Sequence, residues 1–147
     1  MRGFSVIALD NPKSPENVGG AQRACHCYGA QLMVVSGARG ANSIRHATNT
    51  FRAWKHMPTV CVADVFDAIP FDCVPVAVDL IDGATPLPRY KHPERAFYIF
   101  GAEDQTLSER IVGRCKDVIV VPTRQCMNLA ATVNVVLYDR LAKRGGE

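Results

Sequence analysis

Short apolar runs alternate along this chain with segments of helical period, and that alternation leaves few folds open. A strand that is apolar throughout is buried on both faces, and a helix between two such strands returns the chain so that they lie parallel. Phe4 to Leu9 reads as a first buried strand, and Asn17 to Tyr28 as the helix after it, with Val18, Ala21, Ala24, Cys25 and Tyr28 on one face. Gly29 stops that helix. Leu32 to Val35 is a second strand, Gly37 to Gly40 a loop, and Ser43 to His56 a basic stretch. Val60 to Val62 is a short strand, and Asp64 caps a short helix that ends before Pro70. Val74 to Leu80 is a further strand, and Asp82 to Glu94 a Pro- and Gly-rich loop. Ala96 to Phe100 and Val118 to Val121 are strands, with a helix from Ser108 to Arg114 between them. Asn128 to Lys143 is the last helix, with Leu129, Val133, Val136, Leu137 and Leu141 at core spacing and two glycines, Gly145 and Gly146, after it. The fold class is therefore α/β with a parallel sheet. At 147 residues it forms one domain, residues 1–147, around one core.

Apolar residues make up 48% and charged residues 21%, the balance of a globular chain. No apolar run approaches the ~20 residues that span a bilayer. The N-terminus runs into a strand without a signal-peptide pattern, so the expected compartment is the cytoplasm and no membrane partner is expected. The net charge of +3 is compatible with RNA without requiring it. None of the six cysteines forms a C-x-x-C pair, and Cys25-His26-Cys27 matches no common metal spacing, so no metal site is expected. The cysteines read as small buried hydrophobes in a reducing compartment.

Three strand-to-helix junctions carry the chemistry, because ligands of open α/β sheets bind where strands end. The first holds Asn17 and Arg23 in Asn17-Val18-Gly19-Gly20-Ala21-Gln22-Arg23-Ala24. The helix N-terminus and Arg23 suit an anion such as a phosphate, and equally suit an N-cap with a solvated arginine. The second is Phe100-Gly101-Ala102-Glu103-Asp104-Gln105-Thr106-Leu107, where Gly101 permits close backbone approach and Glu103 accepts bonds from a ribose or an amine, or caps a turn. The third runs from Val121-Pro122 through Cys126-Met127-Asn128-Leu129 to Ala130-Ala131. There is no G-x-G-x-x-G or P-loop to support a generic nucleotide-binding domain.

In this order the three junctions resemble the motifs of the SpoU/TrmH-type (SPOUT class) RNA 2′-O-ribose methyltransferases, over the whole chain. Asn17 and Arg23 match the family's first motif. Gly101, Glu103 and Leu107 match its F-G-x-E-x-x-G-L, with Thr106 in place of Gly. Pro122, Met127, Asn128 and Leu129 match its third, with Cys126 and Ala130 in place of two serines and a short loop before Asn128. Tyr138-Asp139 matches the aromatic and acidic pair at the end of its last helix. Without an additional N-terminal domain, the chain is most similar to the small tRNA members.

The resemblance implies a parallel sheet flanked by helices, with a C-terminal deep trefoil knot, although threaded chains are rare in general. It implies an obligate homodimer and an S-adenosylmethionine cofactor, leaving as S-adenosylhomocysteine. That cofactor would be held in a bent form near Asp79, Gly83, Gly101, Glu103, Val121, Cys126, Met127 and Leu129. Asn17, Arg23 and Asn128 become the catalytic set, for methyl transfer to a ribose 2′-hydroxyl of RNA, of tRNA ahead of ribosomal RNA. Arg39, Arg45, Arg52 and Lys55, with His46 and His56, form an RNA-facing surface or an ordinary solvated basic face. Trp54 stacks on a base or sits in the core. Thr106 is expected to change the loop's backbone angles, because a β-branched residue avoids positive φ. A thiol hydrogen-bonds more weakly than a hydroxyl, so Cys126 points to low activity or an unusual substrate. A non-catalytic cofactor- or RNA-binding homologue is the reading of a different class.

Overall fold

The computed structural model describes residues 3–45 and 55–145. Seven parallel strands form one sheet: β1 Phe4–Asp10, β2 Leu32–Ser36, β3 Thr59–Val62, β4 Val74–Val78, β5 Thr85–Pro86, β6 Arg95–Phe100 and β7 Asp117–Val120. Their order across the sheet is β3-β2-β1-β6-β4-β7-β5. The helices are α1 Pro15–Tyr28, α2 Gly37–Arg45, α3 Glu109–Arg114 and α4 Leu129–Lys143.

Side chains alternate across the central strands, as the two-residue period of a strand requires. Ile7, Leu9, Tyr98 and Phe100 enter the core under α1 and α4, together with Val18, Val133 and Leu137. Val6, Ala8, Phe97 and Ile99 face the opposite side, where Phe66, Leu107 and Ile111 cover them. Both faces of β1 and β6 are thus buried, which explains their unbroken apolar sequence.

Four elements depart from the sequence reading. Helix α1 begins at Pro15, not Asn17, because Ser14 is the N-cap and its Oγ accepts from the Asn17 N–H at 3.3 Å. Proline suits the first turn, where its missing N–H has no partner to lose. Residues 37–40 are the first turn of α2 rather than a loop. Gly37 makes the turn at φ +84°, and Gly40 lets the helix approach β2, where a Cβ would meet Val35 Cγ1 at 2.6 Å. Ser43 Oγ then donates to the carbonyls of Pro12 and Lys13, both at 3.1 Å. The expected 82–94 loop holds the two-residue β5 and a 3-10 turn at Leu87–Arg89. Strand β4 ends at Val78, two residues early: the Leu80 N–H turns to the Asp79 carboxylate and the Ile81 N–H to the Asp79 carbonyl. The cysteines also divide, since Cys25 and Cys73 are buried while Cys27, Cys61 and Cys126 are exposed. Among the described residues no helix is long and apolar enough to cross a membrane.

The 82–94 segment is fastened by a buried polar chain. Arg140, 6% exposed, donates from Nη1 to Tyr98 OH at 3.0 Å and to the Pro93 carbonyl, and from Nη2 to the Glu94 carbonyl. Tyr98 OH lies 2.7 Å from His92 Nδ1, and His92 Nε2 lies 2.7 Å from Asp139 Oδ2. The tyrosine oxygen accepts from the arginine, so its single proton points to Nδ1. The His92 proton then sits on Nε2 and faces the carboxylate. Neutral His92 satisfies every member, and burial holds its pKa below the ordinary 6.5 even against the carboxylate.

Candidate active site

Above the C-terminal ends of β4, β6 and β7 lies a crevice of about 640 Å³. Its walls are residues 100–106, the 120–129 segment, Val78-Asp79-Leu80, and Asn17 and Thr132 from the helices. That volume falls within the ~300–1,000 Å³ of ligand sites, and the position is the expected one for a parallel sheet. Leu80, 67% exposed, puts an apolar side chain at the rim.

Asn17, Glu103 and Asn128 come together there, although 111 residues separate the first from the last. Asn17 is 8% exposed, and its Nδ2 donates to Glu103 Oε1 at 3.1 Å. A carboxylate only accepts, which fixes that amide with Oδ1 toward Asn128, whose Nδ2 donates to it at 2.8 Å. Asn128 Oδ1 is left to cap α4, accepting from the Ala131 N–H at 3.1 Å. The second Glu103 oxygen accepts from the Lys13 N–H at 2.8 Å. Because Ser14 caps α1, the Asn17 side chain is free for this relay.

Asp79 braces the second loop. Its Oδ2 accepts from the Leu107 N–H at 2.7 Å and its Oδ1 from the Leu80 N–H at 2.7 Å. Gly101 sits inside that turn, where a Cβ would meet the Gln105 carbonyl at 3.1 Å and Asp79 Oδ2 at 3.3 Å. Thr106 is not among the residues with positive φ, so the loop is built without the left-handed conformation that a glycine there would favour.

Of the expected cofactor residues, Asp79, Gly101, Glu103, Val121, Cys126, Met127 and Leu129 line the crevice. Gly83 does not line it, and occupies a turn at φ +83°. Arg23 lies on the exposed side of α1, outside the lining. Ala130 packs where α1 and α4 cross, against Gly20, at which a Cβ would lie 2.8 Å from the alanine methyl. Arg45 and Lys55 are exposed. Arg52, His46 and Trp54 lie outside the described residues. Cys25, His26 and Cys27 follow one another on α1, and only the first is buried, so they do not converge.

Arg39 is committed to the protein. Its Nη1 and Nη2 grip the two Asp104 oxygens at 2.8 and 2.9 Å, and Nη2 also donates to the Asn11 carbonyl at 3.0 Å. That guanidinium holds the Asp104 carboxyl down at about 2. Periodicity gives no sign of this pair, which joins residues 65 positions apart.

No curated protein matches the chain. Its fold is that of AviRb, a SpoU methyltransferase from Streptomyces viridochromogenes solved in complex with AdoMet, at TM-score 0.82 and 22% identity. That likeness covers 100% of this chain and 60% of AviRb, so the chain spans about three fifths of that protein's length. A structure describing 2′-OH methylation of C/U34 on tRNA matches at TM-score 0.82 and 21% identity, over 99% of this chain and 94% of the other. The A. aeolicus TrmH/SpoU tRNA modifying enzyme matches at 0.81 and 19%, over 99% and 79%. Residues 5–138, which contain all three junctions and the crevice they build, match the model of the SpoU rRNA methylase family, and the chain belongs to that family.

Proposed function

We propose that the chain transfers a methyl group from S-adenosylmethionine to a ribose 2′-hydroxyl of RNA, with tRNA as the preferred substrate. The carrying observation is the convergence of Asn17, Glu103 and Asn128 at one wall of a strand-end crevice. The residues fit the cofactor: Gly101, without a Cβ, lets the 101–107 turn close against Asp79 and Gln105 at the crevice wall, and Leu80 offers an apolar rim for a base. Gly101, Glu103, Val121 and Cys126 to Leu129 would hold it. When bound, the cofactor supplies an electrophilic sulfonium methyl. The protein's part is alignment, since the attacking oxygen must lie in line with that methyl. Arg23 orients the neighbouring phosphate and stabilises the developing alkoxide, because a guanidinium stays protonated and does not serve as a base.

Homodimerisation belongs to the same reading. Tyr138 and Val135 leave apolar surface on the outer face of α4, 59% and 37% exposed, with Tyr28 edge-on to Tyr138. A partner on this face would bring its own Arg23 toward the crevice. Strand order supports the C-terminal trefoil knot: β7 inserts between β4 and β5, two strands already joined by residues 79–84. The tRNA preference rests on the tRNA methylation structure, which the chain covers almost completely. We assign the protein to the cytoplasm, where such an RNA is found.

Calorimetry with S-adenosylmethionine and S-adenosylhomocysteine tests the cofactor. Saturable binding stoichiometric with subunits is expected, and a folded protein that binds neither ends the proposal. Nucleoside mass analysis after incubation with tRNA and with ribosomal RNA then reads the substrate, and a 2′-O-methylated nucleoside from tRNA is expected. Cys126→Ser decides between an active enzyme and a binding homologue: activity present only in the variant marks the native loop as impaired.

A further inference from the structure

The 101–107 loop meets the β1–α1 loop through two neighbouring carboxylates. Glu103 accepts from the Lys13 backbone and from Asn17. Asp104 is held by both terminal nitrogens of Arg39, at the start of α2. Arg39 is itself fixed at two further points, its N–H donating to Asn11 Oδ1 at 3.2 Å and its Nη2 to the Asn11 carbonyl. Asn11 sits at φ +52° against Gly37, where a Cβ would meet Asn11 Oδ1 at 2.4 Å. The loops after β1 and β6 and the first turn of α2 therefore meet at one guanidinium. A two-pronged Arg–carboxylate bond sets direction as well as distance, which a lysine does not.

We propose that Arg39 is a positioning residue: by gripping Asp104 while anchored on Asn11, it sets the 101–107 loop at the spacing from Asn17 that the cofactor crevice needs. This rests on the methyltransferase reading of that crevice. In this role Arg39 is not a phosphate ligand, since its fork and one additional donor are engaged within the protein.

The test uses the full chain with Arg39→Ala, Arg39→Lys, Asp104→Asn, the double Arg39→Ala/Asp104→Asn, and the reversed pair Arg39→Asp/Asp104→Arg. Amide hydrogen exchange is read on the ligand-free protein, and S-adenosylhomocysteine affinity by calorimetry. Each single variant is expected to speed exchange at Gln105 and Leu107 and to weaken S-adenosylhomocysteine about three- to tenfold, with β1 and β6 protection unchanged. The double is expected to be no worse than either single, Arg39→Lys intermediate, and the reversed pair partly restored. Unchanged exchange at those amides in both Arg39→Ala and Asp104→Asn overturns the proposal, and so does loss of protection throughout the sheet. Tighter tRNA binding by Asp104→Asn with weaker binding by Arg39→Ala also overturns it, marking Arg39 as a phosphate ligand masked by the carboxylate. If the wild-type chain binds no S-adenosylhomocysteine, the methyltransferase reading fails on its own, and exchange still decides the Arg39 contact.

Discussion

Asn128 does two jobs with one amide, and substitution separates them. Its Oδ1 caps α4 and its Nδ2 donates to Asn17. Asn128→Asp keeps the cap and removes the donor, setting a carboxylate against the Asn17 oxygen. Thermal denaturation is expected to place it within about 1 kcal/mol of wild type, while S-adenosylhomocysteine affinity falls by tenfold or so. Asn128→Ala loses both and is expected to cost about 1–2 kcal/mol as well as the affinity. Asp104 gives a pH test. Its folded pKa of about 2 lies below the ordinary 3.8, so its contribution is full above 3.8 and is lost as pH falls toward 2. Wild type and Asp104→Asn should thus differ by a constant amount at neutral pH, with their melting curves converging across that window.

At the scale of elements, α1 and α4 cross at Gly20 and Ala130 with no space for another carbon. Gly20→Val is expected to destabilise by about 1–3 kcal/mol in urea denaturation, since the helices must part to admit it. The chain of Arg140, Tyr98, His92 and Asp139 joins α4, β6 and the 82–94 segment. His92 is neutral in the folded state and its pKa lies below 6.5, so the unfolded chain binds its proton first as pH falls. Stability is expected to decline as pH drops below about 6.5, and His92→Gln should flatten that limb of the pH–stability curve. Sequence periodicity had no means of finding this element: His92 lies in a segment without period, and its partners are distant in the chain.

For the whole molecule, the expected partner is a second copy on the outer face of α4. Sedimentation should report a dimer for the wild-type chain. Tyr138→Glu puts a charge on that face and is expected to shift the protein toward monomer without unfolding it, because Tyr138 is 59% exposed. If the partner supplies Arg23, methyl transfer by that monomer should fall well below that of the dimer, while S-adenosylhomocysteine binding falls less.

Every strand but the two-residue β5, the long helices and the parallel class were legible in the sequence, because burial on both faces leaves an unbroken apolar run and a helix leaves its own period. The three loops were legible too, through Asn17, Gly101, Glu103, Asn128 and their neighbours at strand ends. The start of α1 and the whole of α2 were not, since Ser14-Pro15 and Gly37 to Gly40 use residues that serve turns and helix ends alike. Nor did sequence spacing reveal the Arg39–Asp104 fork or the buried His92. Each depends on groups brought together by the order of the strands, and a charge pairs with whichever opposite charge the fold places beside it.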